Sequence, residues 1–565
     1  MSRRPSRGGR ARDLMEPLRV CLGWSETVRE AAARLRDQGA SAAPVVRRGH
    51  TPCLLARDQI ESALLLGLDD VPVGRLICEA APRVAASASV RTLGRRARGT
   101  APGLIVGSPR GPILGVVTRR RILEALARSP GPIPGGASLL PRLSRSLAGE
   151  PFQILMRAGE LARSRRLRLH LVGGVVRDLL LGSEAPDLDL AVEKDGPGFA
   201  RRLAGSLGGR AAVHASFGTA VVTLPGGMRI DVATMRRESY DRPAALPRVE
   251  PGTFLDDLMR RDVTINAMAI RLDGAQRGRL IDELGGRDDL RAGALRVHHL
   301  ASICEDPTRA FRIARFAARF GFRPAAETRA SIRLAADTGA FGAITGQRLH
   351  REFRLVAEEA DPAAAVAWMA RLDLLRHLGW PLRYDRDAMR TLARLIAGLR
   401  RGPLRALEGM PDLSYLILMA LARRSPPRAG LSIAERLRIT GEMRSRLIAS
   451  RGSVSRLVAS LRRASNAVSI VRVCDRFPPE ALAIAWAEAD GEAGRSLDGH
   501  LKRIRSMRPG LTGRDLEVMG LPPGPAYRVI LGRLREARLA GEIRGRRSEK
   551  ELAARLVRRF GRGSH

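Results

Sequence analysis

A chain of 565 residues exceeds what one hydrophobic core can organise, so several domains are expected. Its 44% apolar and 28% charged residues fit globular protein, and no apolar run approaches the ~20 residues of a membrane span. The formal net charge of +40 is carried almost wholly by arginine, Lys194, Lys502 and Lys550 being the only lysines; it is self-repelling unless a polyanion offsets it, which points to RNA over a membrane surface. Cys21, Cys53, Cys78, Cys304 and Cys474 lie far apart with no CxxC spacing, reading as reduced thiols of a cytoplasmic protein and not as zinc ligands or disulfides.

In chain order, residues 1–14 read as a disordered basic tail, since no apolar stretch follows the arginines as a secretory signal requires; an Arg/Ser-rich organelle leader is the other reading. Residues 15–130 read as α/β. Val28–Gln38 has helical spacing, Ala43–Val46 reads as a strand and Gln59–Gly67 as a helix; Val90–Arg98, Gly103–Val106, Gly115–Thr118 and Arg121–Arg128 repeat the order, as in an internal duplication. This pattern, with its closing phrase GVVTRRRIL, resembles a pair of CBS motifs, which implies adenine-nucleotide sensing or a structural module through which a homodimer forms. The acidic residue that often follows the Thr by three positions is replaced by Arg121, and by Gln59 in the first copy, which favours the structural or dimerising role. Residues 131–149 read as a Pro/Gly/Ser-rich linker, 150–298 as an α/β head with a mixed sheet, 299–365 as a helical neck and 366–565 as a helical, arginine-rich body and tail.

The chemistry concentrates in the head. Leu169–Val172 reads as a buried strand, Gly173 and Gly174 as a tight turn, and Val175–Leu181 as a helix whose exposed N–H groups suit a triphosphate, with Arg177 one turn inside to reach the same phosphates. Asp187-Leu188-Asp189-Leu190 alternates, so a strand there directs both carboxylates to one face and the leucines to the core. Two such carboxylates repel unless a cation sits between them, and oxygen-only ligands favour Mg²⁺, with Mn²⁺ as the alternative. A pair of these ions can activate an attacking hydroxyl and steady a leaving pyrophosphate. Asp231, alternating with Ile230 and Val232 in the strand Met228–Thr234, is a third carboxylate, as a metal ligand or as a base for an RNA 3′-hydroxyl.

Further motifs follow in order: Arg260-Arg261-Asp262-Val263-Thr264-Ile265-Asn266-Ala267, then Ile281-Asp282-Glu283-Leu284-Gly285-Gly286-Arg287-Asp288-Asp289-Leu290, then Glu305-Asp306-Pro307-Thr308-Arg309. With GGVVRD and DLDLAV, these resemble the class II tRNA nucleotidyltransferase and bacterial poly(A) polymerase superfamily, across about residues 150–335; Val263 replaces the family's usual aromatic. The resemblance implies that Arg261, Asp262 and Asn266 contact the ribose and phosphates of a nucleotide, and that the Glu305–Arg309 motif selects the base. Asp306 and Arg309, three apart, are expected on one helix face, where Asp can accept from an exocyclic amine and Arg can donate to ring nitrogens and carbonyls. ATP and CTP share that amine and are the expected substrates.

The implied activity is template-independent addition of C and/or A to an RNA 3′ end, with tRNA (CCA addition or repair) the expected partner. Poly(A) polymerase and A-only or CC-only addition are the alternatives within the superfamily. A non-catalytic, nucleotide-sensing RNA-binding regulator is the alternative from another class. The CBS-like pair also resembles that of members which carry an additional phosphoesterase domain, and no such domain is read here.

Overall fold

The computed structural model describes residues 9–77, 80–97, 101–109, 111–128, 138–183, 188–380, 382, 384–504 and 509–561. Cys78, Arg98, Asp187 and residues 131–137 of the expected linker lie outside them. The chain divides into two compact units, Met1–Thr345 and Gly346–His565.

The first unit opens with two copies of one α/β pattern. Leu22–Gly23, helix Val28–Asp37, Ala42–Val46, Cys53–Ala56 and helix Arg57–Leu65 form the first; Arg83–Val84, helix Val90–Arg96, Gly103–Gly107, Ile113–Thr118 and helix Arg119–Arg128 form the second. In each copy the first strand pairs parallel with the second, and the second antiparallel with the third. Each leading helix is capped by a hydroxyl, Thr27 receiving the Glu30 N–H and Ser89 the Thr92 N–H, which supplies one of the acceptors a helix N-terminus lacks. Ala42, Leu54 and Ala56 of the first copy pack with Ile105 and Val116 of the second, so neither copy buries its sheet alone.

Two expectations at the edges of this pair change. Residues 1–8 of the expected tail lie outside the described residues, but Ala11–Leu14 is a helical turn whose Ala11 is wholly buried, held by N–H bonds from Ala11 to Ala88 O and from Arg12 to Ala86 O. Likewise, residues expected in the linker form the helix Leu140–Ser146, docked by Leu143 and by the Leu139 N–H on Gly278 O at 2.8 Å. In both places a few apolar side chains find a core face that local composition does not reveal.

The head is a seven-stranded mixed sheet built from β1 (Leu169–Val172), β2 (Leu188–Val192), β3 (Arg210–His214), β4 (Thr219–Thr223), β5 (Arg229–Thr234), β6 (Ala269–Arg271) and β7 (Leu280–Ile281). Its order is β3-β4-β5-β2-β1-β6-β7, with only β5 and β2 parallel. Leu169, Leu171, Leu190, Val192, Ile230 and Val232 are almost fully buried; helix Gly196–Ser206 packs on β2, β3, β4 and β5 and is itself packed by helix Glu150–Ser164. The neck follows as helices Ser302–Glu305, Thr308–Phe320 and Ala326–Asp337, with a two-residue parallel pair between Ala294–Leu295 and Arg323–Pro324 that a purely helical reading omits.

The second unit is helical among its described residues. It begins at Gly346, nearer the N-terminus than the expected neck boundary, because helix Gly346–Glu358 packs with helices Leu413–Arg423 and Ala429–Leu437. Near its end, Thr512 and Asp515 form a capping box and Pro525 opens the helix Pro525–Ala540, packed around Leu516, Ile530 and Leu534. No helix of the described residues is long and apolar enough to cross a membrane.

Two buried histidines make the first unit acid-sensitive. Burial, and then the nearby arginine charges, bring His170 down to about 4; burial, then His299 and Arg309, brings His298 down to about 3. The unfolded chain takes up these protons near pH 6.5 while the folded protein refuses them. Stability is therefore complete above that pH and is lost as pH falls, by about 1.4 kcal/mol per pH unit for each group. Denaturant midpoints at pH 7.5, 6.0 and 5.0 are expected to decline in that order, and a constant midpoint would contradict this assignment.

Candidate active site

β1 ends at Val172 and the chain turns on Gly173, whose φ of 80° and ψ of −142° lie where glycine alone rests without strain. Helix Gly174–Leu181 starts at once, so its first N–H groups form an anion cradle at the end of β1. The missing side chain also makes room. A Cβ on Gly173 would stand 3.2 Å from both Asp189 Oδ2 and Arg261 Nη1, so a carboxylate of β2 and a distant guanidinium converge on the turn. Arg261 Nε is buried with no hydrogen-bond partner among the described residues, a donor left for a ligand.

Asp189 lies directly opposite Asp231 across the parallel β2–β5 pair. In-register residues of neighbouring strands, ~4.8 Å apart, project from the same face. Leu188, Leu190, Ile230 and Val232 are buried, while Asp189 is half-buried and Asp231 exposed. Two carboxylates so placed make an oxygen-only donor set that fits a hard divalent cation. Among the described residues no group of three potential ligands forms, and Asp187 lies outside them.

Behind the turn runs a chain of buried polar contacts. Arg177 Nη1 donates to Asn266 Oδ1 at 2.6 Å, and Nε and Nη2 donate to Asp178, each at 2.8 Å. Its guanidinium lies 4.5 Å from the Phe320 ring centre, yet Nη2 remains 3.3 Å from where a Cβ on Gly174 would stand. Asn266 Nδ2 donates to Asp262 Oδ1, which also receives the Val263 N–H; Arg312 Nε donates to Asp262 Oδ2 at 2.8 Å. Burial would raise the Asp262 carboxyl, but Arg312 and these donors hold it down at about 2, an anion at any working pH.

The Glu305–Arg309 segment, expected to select the base, is built differently from the expectation. Asp306 and Arg309 do not share a helix. Pro307 disfavours helical geometry in the residue before it, so Asp306 is extended (φ −132°, ψ 93°) between helices Ser302–Glu305 and Thr308–Phe320. Its Oδ1 accepts the Thr308 N–H at 3.0 Å and the Thr308 hydroxyl at 2.7 Å. Arg309 is 4% exposed; it donates through Nη1 to Ser302 Oγ at 2.6 Å and through Nη2 to Arg260 O at 2.9 Å. Burial opposes its charge, but Tyr240, Glu305 and Asp306 outweigh that and raise its pKa above the ordinary value.

Several of these partners were not singled out in the sequence. Glu238 receives Arg236, Arg260 and Tyr240 Oη; Ala244 N–H donates to Glu305 O; Asp257 joins Arg260 to Arg261. Only Asp257 carried a local signal, standing three and four residues before the arginines on helical spacing.

Residues 169–296 match the family described as the Poly A polymerase head domain. An A-adding tRNA nucleotidyltransferase of Halalkalibacterium halodurans is 30% identical over 75% of this chain and 96% of its own length. The chain belongs to the tRNA nucleotidyltransferase family. A second A-adding tRNA nucleotidyltransferase, from Geobacter sulfurreducens, is 32% identical over 97% of this chain; the chain spans 64% of that relative's length. Among solved structures, the Thermotoga maritima CCA-adding enzyme complexed with tRNA superposes with a TM-score of 0.62 at 26% identity, covering 75% of this chain and 99% of that one. The match to the nucleotidyltransferase head spans β1 through Arg296 and so contains Gly173, Asp189, Asp231, Arg261 and Asn266.

Proposed function

We propose that the protein adds nucleotides to the 3′ end of tRNA without a template, and that its addition is the terminal A. The convergence of Gly173, Asp189 and Arg261, with Asp231 beside Asp189, carries the catalytic reading. The A-adding specificity is supported by the two relatives named above, each of which bears that activity in its name.

In this reading the N–H groups after Gly173 and the Arg261 guanidinium bind the triphosphate, fixing its α-phosphorus in front of the carboxylates. Asp189 and Asp231, with Asp187, would hold Mg²⁺ or Mn²⁺, which when bound neutralises the triphosphate and makes the RNA 3′-hydroxyl more acidic. The 3′-oxygen forms a bond to the α-phosphorus as the α–β bridging bond breaks and pyrophosphate leaves, the hydroxyl proton passing to solvent water, or to Asp231 should it act as the base and not as a ligand. Asp262 and Asn266 orient the ribose, and the Glu305–Arg309 motif reads the base of ATP or CTP. The N-terminal pair is proposed to be a CBS-like module on its duplicated strand order, serving as a structural or homodimerising element. Arginines of the helical second unit are proposed to pair tRNA phosphates.

Extension of three tRNA transcripts, ending at the discriminator base, at C and at CC, with Mg²⁺ and CTP, ATP or both, tests this. A-addition confined to the CC-ended transcript is the expected result. Stepwise CCA synthesis or arrest after CC would replace the specificity, long A tails would indicate a poly(A) polymerase, and no extension of any transcript would favour a non-catalytic regulator.

A further inference from the structure

Asp257, in helix Phe254–Met259, is a wholly buried carboxylate. Its Oδ1 receives Arg260 Nε at 2.9 Å and Nη2 at 2.7 Å, and its Oδ2 receives Arg261 Nη2 at 3.0 Å. A buried carboxylate is stable as an anion only when its oxygens are saturated in this way, and spacings of three and four residues let one side chain reach both guanidiniums.

The two arginines lead to opposite ends of the site. Arg261 Nη1 reaches the Gly173 turn, where Asp189 Oδ2 also arrives. Arg260 leads to the other end: its carbonyl accepts Arg309 Nη2 at 2.9 Å, and its Nη1 meets Glu238 Oε1 at 3.5 Å. Glu238 is held in turn by Arg236 at 2.7 Å and by Tyr240 Oη at 3.0 Å, while the Ala244 N–H beyond it donates to Glu305 O at 3.1 Å. The strand pair Arg236–Ser239 with Arg248–Pro251 is thereby tied to the Glu305–Arg309 segment through Arg260, whose guanidinium is held by the same carboxylate that orients Arg261.

We propose that Asp257 is the positioning residue that sets the separation between the phosphate end and the base-selecting end of the nucleotide site. Triphosphate affinity and base discrimination then depend on one buried anion that touches neither. This rests on the nucleotidyltransferase reading above.

The test uses the full chain and the transcript the wild type extends. Asp257→Asn keeps the volume and removes the charge. Arg260→Met removes the arm to Glu238 and keeps the carbonyl that receives Arg309. Asp256→Ala removes the capping box with Thr253 on the same helix, together with the 3.5 Å contact to Arg237, and leaves Arg260 and Arg261 paired with Asp257, so it separates loss of helix stability and of that strand contact from loss of the arginine bridge. The readouts are KM and kcat for the accepted nucleotide, the ratio of kcat/KM between it and GTP, inhibition by pyrophosphate, and the thermal midpoint. Asp257→Asn is expected to weaken both pyrophosphate inhibition and discrimination by about tenfold or more, and Arg260→Met to weaken discrimination alone. Asp256→Ala should lower the midpoint and leave both ratios in place. Wild-type ratios in Asp257→Asn, or Asp256→Ala reproducing its kinetics, would overturn the proposal. Should Asp257→Asn not fold, Arg260→Met decides, since unchanged discrimination in it breaks the link to the base end. A wild type that extends no RNA defeats the proposed function, whereas an active wild type with an unaltered Asp257→Asn defeats only this inference.

Discussion

Asp189→Ala is expected to lower nucleotide incorporation by about 10³-fold or more while changing tRNA affinity by no more than roughly twofold. Asp189 is the carboxylate that stands both opposite Asp231 and beside the Gly173 turn, so its loss removes half of the described donor set at the point where the phosphate cradle begins. Alanine fits a half-buried strand position next to Leu188 and Leu190, so the fold should persist and thermal unfolding should be little changed. In the proposed function RNA affinity would come from many arginine–phosphate contacts, none of which runs through this residue. Single-turnover extension together with filter binding separates the two quantities. Incorporation within tenfold of wild type would remove Asp189 from the catalytic role. Asp187→Ala carries the same expectation from the sequence pattern.

The second large effect is expected at Gly173. At φ 80° and ψ −142° any side chain costs about 1–3 kcal/mol of backbone strain, and here the added Cβ would also stand 3.2 Å from Asp189 Oδ2 and Arg261 Nη1. Either the turn relaxes, moving the N–H groups proposed to bind the triphosphate, or the two charged groups give way. Both outcomes disturb the site, so Gly173→Ala should reduce kcat/KM for the nucleotide by about 10- to 100-fold and lower the thermal midpoint. Gly182→Ala supplies the comparison: it also has positive φ, at 78°, but open space around it, so it should lose stability with little loss of rate per folded molecule. Equal kinetic losses in the two variants would show that Gly173 matters only for its backbone.

Much of this site is legible in the residues themselves because its signals are local. Alternation places Asp231 on the face opposite to Ile230 and Val232, and the double glycine marks a strand-to-helix turn. Even the departure at Asp306 is readable: Pro307 is enough to break the helix, and the expectation of one continuous face overlooked it. The spacing of Asp257 to Arg260 and Arg261 is equally local.

The sequence by itself determined the class of chemistry, the order of the head motifs and the faces of the strands, because each depends on residues within a turn or two of one another. Only the tertiary structure decided which distant groups meet. It set Asp231 in register with Asp189 through the parallel β2–β5 pair, brought Arg261 to Gly173, engaged Arg177 with Asn266 and Phe320, and tied Tyr240 and Glu238 to Arg236 and Arg260. It also ordered Ala11–Leu14 and Leu140–Ser146, short segments whose apolar side chains are held by surfaces contributed from elsewhere in the chain. Strand register and long-range burial arise from the packing of the whole core, and that information is not contained in the spacing of any one motif.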